Sequence, residues 1–289
     1  MSFSLQAAVY RPAGPWPEIA RRGARTVGRE LARAIGEQIE RATKGIPREQ
    51  IGVNMVVSTI LDMPFTSGWI EWDDIASQMP SWTSAVPHNL VTAYECSSWG
   101  FVLRYANLFE RHQPYIVLSI VDINLFDLTH WHENPNWGKS GFGIATVVLK
   151  FSGDDTIQCD VARSANGFGE FCVGLRNYME RDKAVRVTPP FFPPNISALY
   201  DRLLPRERLL PNLVDQYGHS FGSDPWIALI EHRLAKRDRP GERYLATSVS
   251  LNGYWCFAEL EFATEGIFHI DPMIEPCRIE RDRQMESLC

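Results

Sequence analysis

Cys96 stands where the sequence changes character. Residues 91–106 (VTAYECSSWGFVLRYA) pass from an extended apolar run into an amphipathic helical pattern, and the cysteine lies at the junction. A thiol at a helix start faces unpaired backbone N–H groups and the positive end of the helix dipole, which both favour the thiolate. Ser97 and Ser98 follow and leave room for a substrate carbonyl. This suits a nucleophile; the competing reading is a buried small hydrophobe, the usual fate of a free cysteine. A second group, His130-Trp131-His132-Glu133, has the His-x-His spacing of a metal site, because a strand would point both imidazoles to one face. A third ligand at suitable spacing is missing and Pro135 marks the segment as loop, so no metal is assigned.

The elements that must position these groups are legible as patterns. Ile19, Val27, Leu31, Ala34, Ile35, Ile39 and Ala42 recur at near-helical spacing with Gly45 as a stop, which predicts one long amphipathic helix over residues 18–43. Residues 51–60 (IGVNMVVSTI) and 115–123 (YIVLSIVDI) read as strands buried on both faces. Residues 62–87, rich in Trp, Pro and Ser, form a long excursion, and a helix is expected over 96–110. A glycine-containing turn at 138–143 opens a strand over 144–150. Residues 151–185 show little periodicity, and PPFFPP at 189–194 excludes helix and central strand. Helices follow over 196–204 and 225–235, then strands over 244–250 and 255–262 joined by a tight turn at Asn252-Gly253, and a loose tail over 280–289. Alternating helix and strand predicts a layered α/β fold.

Composition narrows the classes. The chain has 289 residues, 45% hydrophobic and 22% charged, enough to bury one large core or two modest ones. A net charge of -6 without a basic patch argues against a nucleic-acid partner. The basic residues between Arg21 and Arg41 alternate with Glu30, Glu37 and Glu40, as on a solvated helix face. No apolar run is long enough to span a bilayer and no signal peptide is visible, so a cytoplasmic location is expected. Six cysteines without CxxC spacing read as reduced thiols. No P-loop or GxSxG elbow is present.

The order of segments resembles a ketoacyl synthase III-type condensing enzyme of the thiolase-like superfamily over residues 18–262. GIPREQIGVNMVVST is similar to that family's helix-turn-strand lead-in, and residues 93–106 resemble its nucleophile segment. The glycine turn followed by IATVVL resembles its GDGA-type turn and strand. Phe192-Pro-Pro-Asn195 resembles its HQAN segment, Gln216-Tyr-Gly-His219 its YGN segment, and Asn252-Gly-Tyr254 its last hairpin. The resemblance implies a shortened αβαβα thiolase-like fold of two similar halves, divided here as 1–155 and 156–289. It also implies a homodimer, or a heterodimer with a ketosynthase homologue. The acyl group would come from coenzyme A or an acyl carrier protein, a thioester substrate with no separate cofactor.

Residue roles follow from the same resemblance. Cys96 would take the acyl group, with its own backbone N–H and that of Asn252 as oxyanion hole. The family's carbanion-stabilising histidine and asparagine are replaced by Phe192 and His219. A phenyl ring neither donates a hydrogen bond nor exchanges a proton, whereas an imidazole does both, so a Cys96–His219 dyad is the expectation. Trp99, Phe192 and Asn195 are the expected substrate contacts, and Trp69, Trp72, Trp82, Trp131 and Trp137 further candidates for an apolar acyl pocket. Lys139 stands where the family shows an acidic residue, the stretch 150–190 is short, and the chain is expected to begin too late for the whole first strand. Three readings stay open. The first is an atypical acyltransferase or condensing enzyme of polyketide or fatty-acid-derived metabolism, and the second a non-catalytic subunit of a ketosynthase complex. The third is a metal-dependent enzyme using His130 and His132.

Overall fold

The computed structural model describes residues 3–109, 113–152 and 156–272; the expected tail over 280–289 lies outside the described residues. Strand β1 (Phe3–Ala13) is an eleven-residue strand paired on both sides within the sheet. Its pairing shifts register between Leu5 and Ala7. That bulge switches parity: Phe3, Leu5, Ala8 and Tyr10 face a central core while Ala7 and Val9 face an outer one. The helix expected over 18–43 is broken at Gly23 into α1 (Pro17–Ala20) and α2 (Ala24–Ala42). There follow β2 (Ile51–Val57), α3 (Asp62–Thr66), α4 (Trp72–Ala76), β3 (Asn89–Val91), α5 (Ser98–Phe109) and β4 (Tyr115–Asp122). A short turn, α6 (Thr129–His132), precedes a small hairpin of β5 (Glu133–Asn134) and β6 (Gly138–Lys139), and β7 (Phe142–Lys150) closes the first half.

The second half holds β8 (Ile157–Val161), α7 (Gly167–Arg181), β9 (Arg186–Thr188), α8 (Pro194–Leu203), α9 (Val214–Tyr217), α10 (Asp224–Leu234), β10 (Arg243–Val249) and β11 (Tyr254–Ile270). Sequence reading missed β8 and α7. In α7 only Phe171, Cys172, Leu175, Tyr178 and Met179 are buried, and three glycines dilute the apolar stripe. The nine-stranded sheet runs β3-β2-β4-β7-β1-β11-β10-β9, with β8 also pairing β11.

The two halves repeat one topology. In the first, β2 runs parallel to β4, β4 antiparallel to β7, and β7 antiparallel to β1. In the second, β9 runs parallel to β10, β10 antiparallel to β11, and β11 antiparallel to β8. The alternation of parallel layers expected from the sequence is thus a mixed sheet. Helices α5 and α10 share the central core, where Trp99 meets Trp226 edge-on at 5.1 Å. Helix α2 packs the outer face of the first half and α7 that of the second. Along β4, Ile116, Leu118 and Ile120 face the centre and Val117 and Val121 the outside, the period-two pattern of a strand buried on both faces.

Candidate active site

Each central helix is preceded by a tight turn, residues 95–97 before α5 and 221–223 before α10. Each turn opens on a non-glycine residue in the left-handed region, Glu95 (φ 48°) and Phe221 (φ 54°), three positions before its helix. Cys96 and Gly222 are therefore equivalent in the repeat. A Cβ on Gly222 would lie 3.1 Å from the Ile120 side chain and 3.3 Å from the Cys96 carbonyl oxygen, so glycine lets the two turns abut.

Cys96 is 7% exposed and its Sγ accepts a hydrogen bond from Thr59 Oγ1 at 3.6 Å. Burial first, then the charge of Asp122, pushes its thiol well up; Thr59 opposes this, and Glu95 and Asp224 add to it. The thiolate expected at a helix start is thus not the resting form. Asp122 lies at the end of β4. Its Oδ1 accepts from Thr59 N at 2.7 Å, Ile60 N at 3.2 Å and Ser58 Oγ at 3.2 Å, while Oδ2 is buried without a partner. Burial pushes Asp122 up to about 6, against those three donors and the nearby His219.

His219 is held from both sides. Its N–H donates to the Lys139 carbonyl at 2.8 Å and its own carbonyl accepts from Gly141 N at 2.9 Å. The glycine turn thereby fixes the histidine loop. A Cβ on Gly141 would lie 2.0 Å from the Tyr217 carbonyl oxygen, so the close approach requires glycine. The imidazole Nδ1 lies 2.7 Å from Asp224 Oδ2, off the angle of a hydrogen bond. Asp224 also accepts from Ser220 N at 2.6 Å and Phe191 N at 2.9 Å, which ties carboxylate, imidazole and the Phe192 loop together. Phe192 stacks on His219 with centroids 5.1 Å apart.

Cys96 and His219 line one cavity of about 290 Å³, with Thr59, Glu95, Phe192, Phe221, Trp131 and Trp137 among the walls. The structure separates the other candidates from it. Trp99 is fully buried in the core, its Nε1 donating to Ser248 Oγ, so its assignment to substrate is corrected. Asn195 is exposed on the first turn of α8, outside the cavity. The Asn252 N–H donates to Glu95 Oε2 at 3.3 Å and Asn252 does not line the cavity, so it is not poised as an oxyanion donor. Trp69 and Trp72 pack around α2 and Trp82 is exposed, which leaves Trp131 and Trp137 as the pocket's tryptophans. His130 and His132 lie on the helical turn α6, where residues two apart diverge. His132 pairs instead with Asp127 and His130 with Asn134, and among the described residues no group of three His, Cys, Asp or Glu is placed to hold a metal.

No family model and no curated protein matches the chain. Solved structures do. The tetronic acid condensing enzyme AbyA1 is 15% identical over 90% of this chain and 100% of its own, with a TM-score of 0.60. The 3-oxoacyl-(acyl carrier protein) synthase III FabH of Pseudomonas aeruginosa is 13% identical over 92% and 99%, with a TM-score of 0.61. OleA of Xanthomonas campestris is 12% identical over 90% and 98%, with a TM-score of 0.59. The chain has the ketoacyl synthase III-like thiolase fold. At these identities the likeness is one of fold. In this thiolase-like fold Cys96 opens the central helix of the first half and His219 precedes that of the second. Thr59 donates to Cys96 and to Asp122, and Asp224 stands against His219; the sequence reading gave none of the three a role.

Proposed function

We propose that the protein is a condensing-type acyltransferase that takes an acyl group from a coenzyme A or carrier-protein thioester onto Cys96 and passes it to an acceptor. The carrying observation is that Cys96, in the turn before α5, and His219, two residues before the equivalent turn of the second half, line one largely apolar cavity. His219, oriented by Asp224, takes the thiol proton as Sγ attacks the thioester carbonyl. The new C–S bond forms, the bond to the carrier sulfur breaks, and the carrier thiolate recovers the proton from the imidazolium. Phe192 provides no donor for a carbanion, so transfer without decarboxylation is the reaction assigned. The dimer, the cytoplasmic setting and a place in polyketide or fatty-acid-derived metabolism belong to the same proposal.

The high resting pKa of the thiol favours a second reading, a non-catalytic subunit that shapes the pocket of an intact homologue. Intact-protein mass spectrometry with short, medium and aromatic acyl-coenzyme A thioesters separates the two. A single acyl adduct that Cys96→Ala abolishes supports the acyltransferase; no adduct from any donor refutes it and leaves the subunit.

A further inference from the structure

Glu95 immediately precedes Cys96, is half-buried, and lines the same cavity. Its left-handed backbone is a conformation that a side-chain-bearing residue keeps only where its surroundings hold it, and such residues cluster at functional sites. Here the hold is visible: Oε1 accepts from Asn252 Nδ2 at 2.6 Å and Oε2 from the Asn252 backbone N at 3.3 Å. Asn252 is neutral, so it fixes the carboxylate in place without cancelling its charge. Among the described residues that line the cavity there is no lysine or arginine. Phe192 and His219, moreover, do not form a donor pair for an incoming carboxylate, since Phe192 has no polar atom. An anionic acceptor therefore meets like charge beside the nucleophile, whereas an ammonium group meets an oriented counter-ion.

We propose that the acyl group on Cys96 is passed to an acceptor bearing a primary amine, which the Glu95 carboxylate draws in as its ammonium and deprotonates for attack. This rests on the acyl-enzyme reading above. One ammonium proton goes to Glu95 and the amine nitrogen attacks the thioester carbonyl. The C–N bond forms, the C–Sγ bond breaks, and the second nitrogen proton returns through His219 to the Cys96 sulfur. The products are an amide, a free thiol and a protonated Glu95, which releases its proton to solvent.

The test compares wild type with Glu95→Gln, which keeps oxygen and size but removes the charge. Alkylation of Cys96 by 2-bromoethylammonium, iodoacetamide and iodoacetate is followed by mass, with Cys96→Ala as blank. Because the cation-to-anion rate ratio is taken within each protein, a general change in folding or access cancels. Wild type is expected to favour the cation over the anion relative to free cysteine by about tenfold, and Glu95→Gln to lose that preference. In parallel, acyl-Cys96 enzyme is mixed with cadaverine or with malonyl-coenzyme A. Discharge by cadaverine to an amide, slowed about tenfold or more in Glu95→Gln, supports the proposal. An unchanged ratio, or faster discharge by the malonyl thioester with loss of carbon dioxide, overturns it. Failure of every thioester to acylate Cys96 removes the acyltransferase reading and this proposal together, whereas an acyl-enzyme that amines leave untouched removes the proposal alone.

Discussion

Replacing Asp122 by Asn should make Cys96 more reactive, although it alters a buried group beneath the site. The carboxylate and the sulfur share Thr59, whose N–H donates to Asp122 Oδ1 at 2.7 Å and whose Oγ1 donates to Sγ at 3.6 Å. That path bounds their separation at roughly 9 Å, where a unit charge at an effective dielectric of about 20 contributes ~1.8 kcal/mol, or just over one pKa unit. Asparagine retains an oxygen for the three donors on Oδ1 and places its amide where Oδ2 already lacks a partner. At pH 8 Asp122, pushed up only to about 6, is ionised and suppresses the thiolate. The pH dependence of Cys96 alkylation by iodoacetamide should therefore shift about one unit lower in Asp122→Asn, with a rate about tenfold higher at pH 8. Thermal stability gives a second readout. A carboxyl whose folded pKa is raised favours the fold while protonated, so its contribution is lost as pH rises from about 4 to about 6. Over that window the wild-type Tm should fall relative to the variant. An unchanged or slower alkylation rate with an intact fold would refute the argument that Asp122 holds the thiol in its protonated form.

Asp224→Asn should slow acylation of Cys96 by a factor on the order of 10² or more, measured by mass after rapid quench, because the imidazole loses the carboxylate that orients it. Gly141→Ala should cost about 1–3 kcal/mol, read as a lower Tm, and reduce acylation in parallel, since its Cβ would lie 2.0 Å from the Tyr217 carbonyl oxygen and must displace the histidine loop. Asp271→Asn should destabilise the protein at pH 7 by ~1 kcal/mol after solvent screening and leave alkylation of Cys96 unchanged. Although burial acts against it, hydrogen bonds from Arg41 and Arg11 hold Asp271 down at about 2. A depressed carboxyl contributes above its unfolded pKa and loses that contribution as pH falls from about 4 to about 2, so the two proteins should converge in urea titrations at about pH 2 and below.

Legibility followed periodicity. Strands β2, β4 and β7 were readable because residues buried on both faces leave mostly apolar runs, and α10 because it is nearly all buried. Strand β8 was not, since Gln158 and Asp160 interrupt a five-residue strand at a sheet margin. Cys96 and His219 were singled out by type and motif order. Their neighbours were not: Thr59 lies just past β2 and Asp224 at the first position of α10, and neither was given a role. A buried charge at the end of an apolar strand, Asp122, was the one available signal. The errors share a cause. Trp99 and Trp131 look alike in sequence, yet one faces the central core and the other the cavity, a distinction set by long-range packing.

The site is asymmetric across the repeated topology. A Cβ at Gly222 would stand 3.3 Å from the Cys96 carbonyl oxygen and 3.1 Å from the Ile120 side chain, so a side chain there fits only if its neighbours give by a few tenths of an ångström. In the acyl transfer proposed above, the first half supplies the nucleophile and the second delivers its functional group from a residue near the equivalent turn. His219, two positions before the left-handed Phe221, does so, and it is anchored through backbone bonds to the glycine turn of the first half. The first half thus fixes the backbone of His219 through Lys139 and Gly141, while the charge near the thiol comes mainly from Asp122 of the first half, with a smaller part from Asp224 of the second. Burial and the charges of Asp122, Glu95 and Asp224 push the thiol up and favour its protonated form. In the proposed acyl transfer, attack on a thioester then depends on a base that acts as the bond forms, a part given to the imidazole rather than to a preformed thiolate.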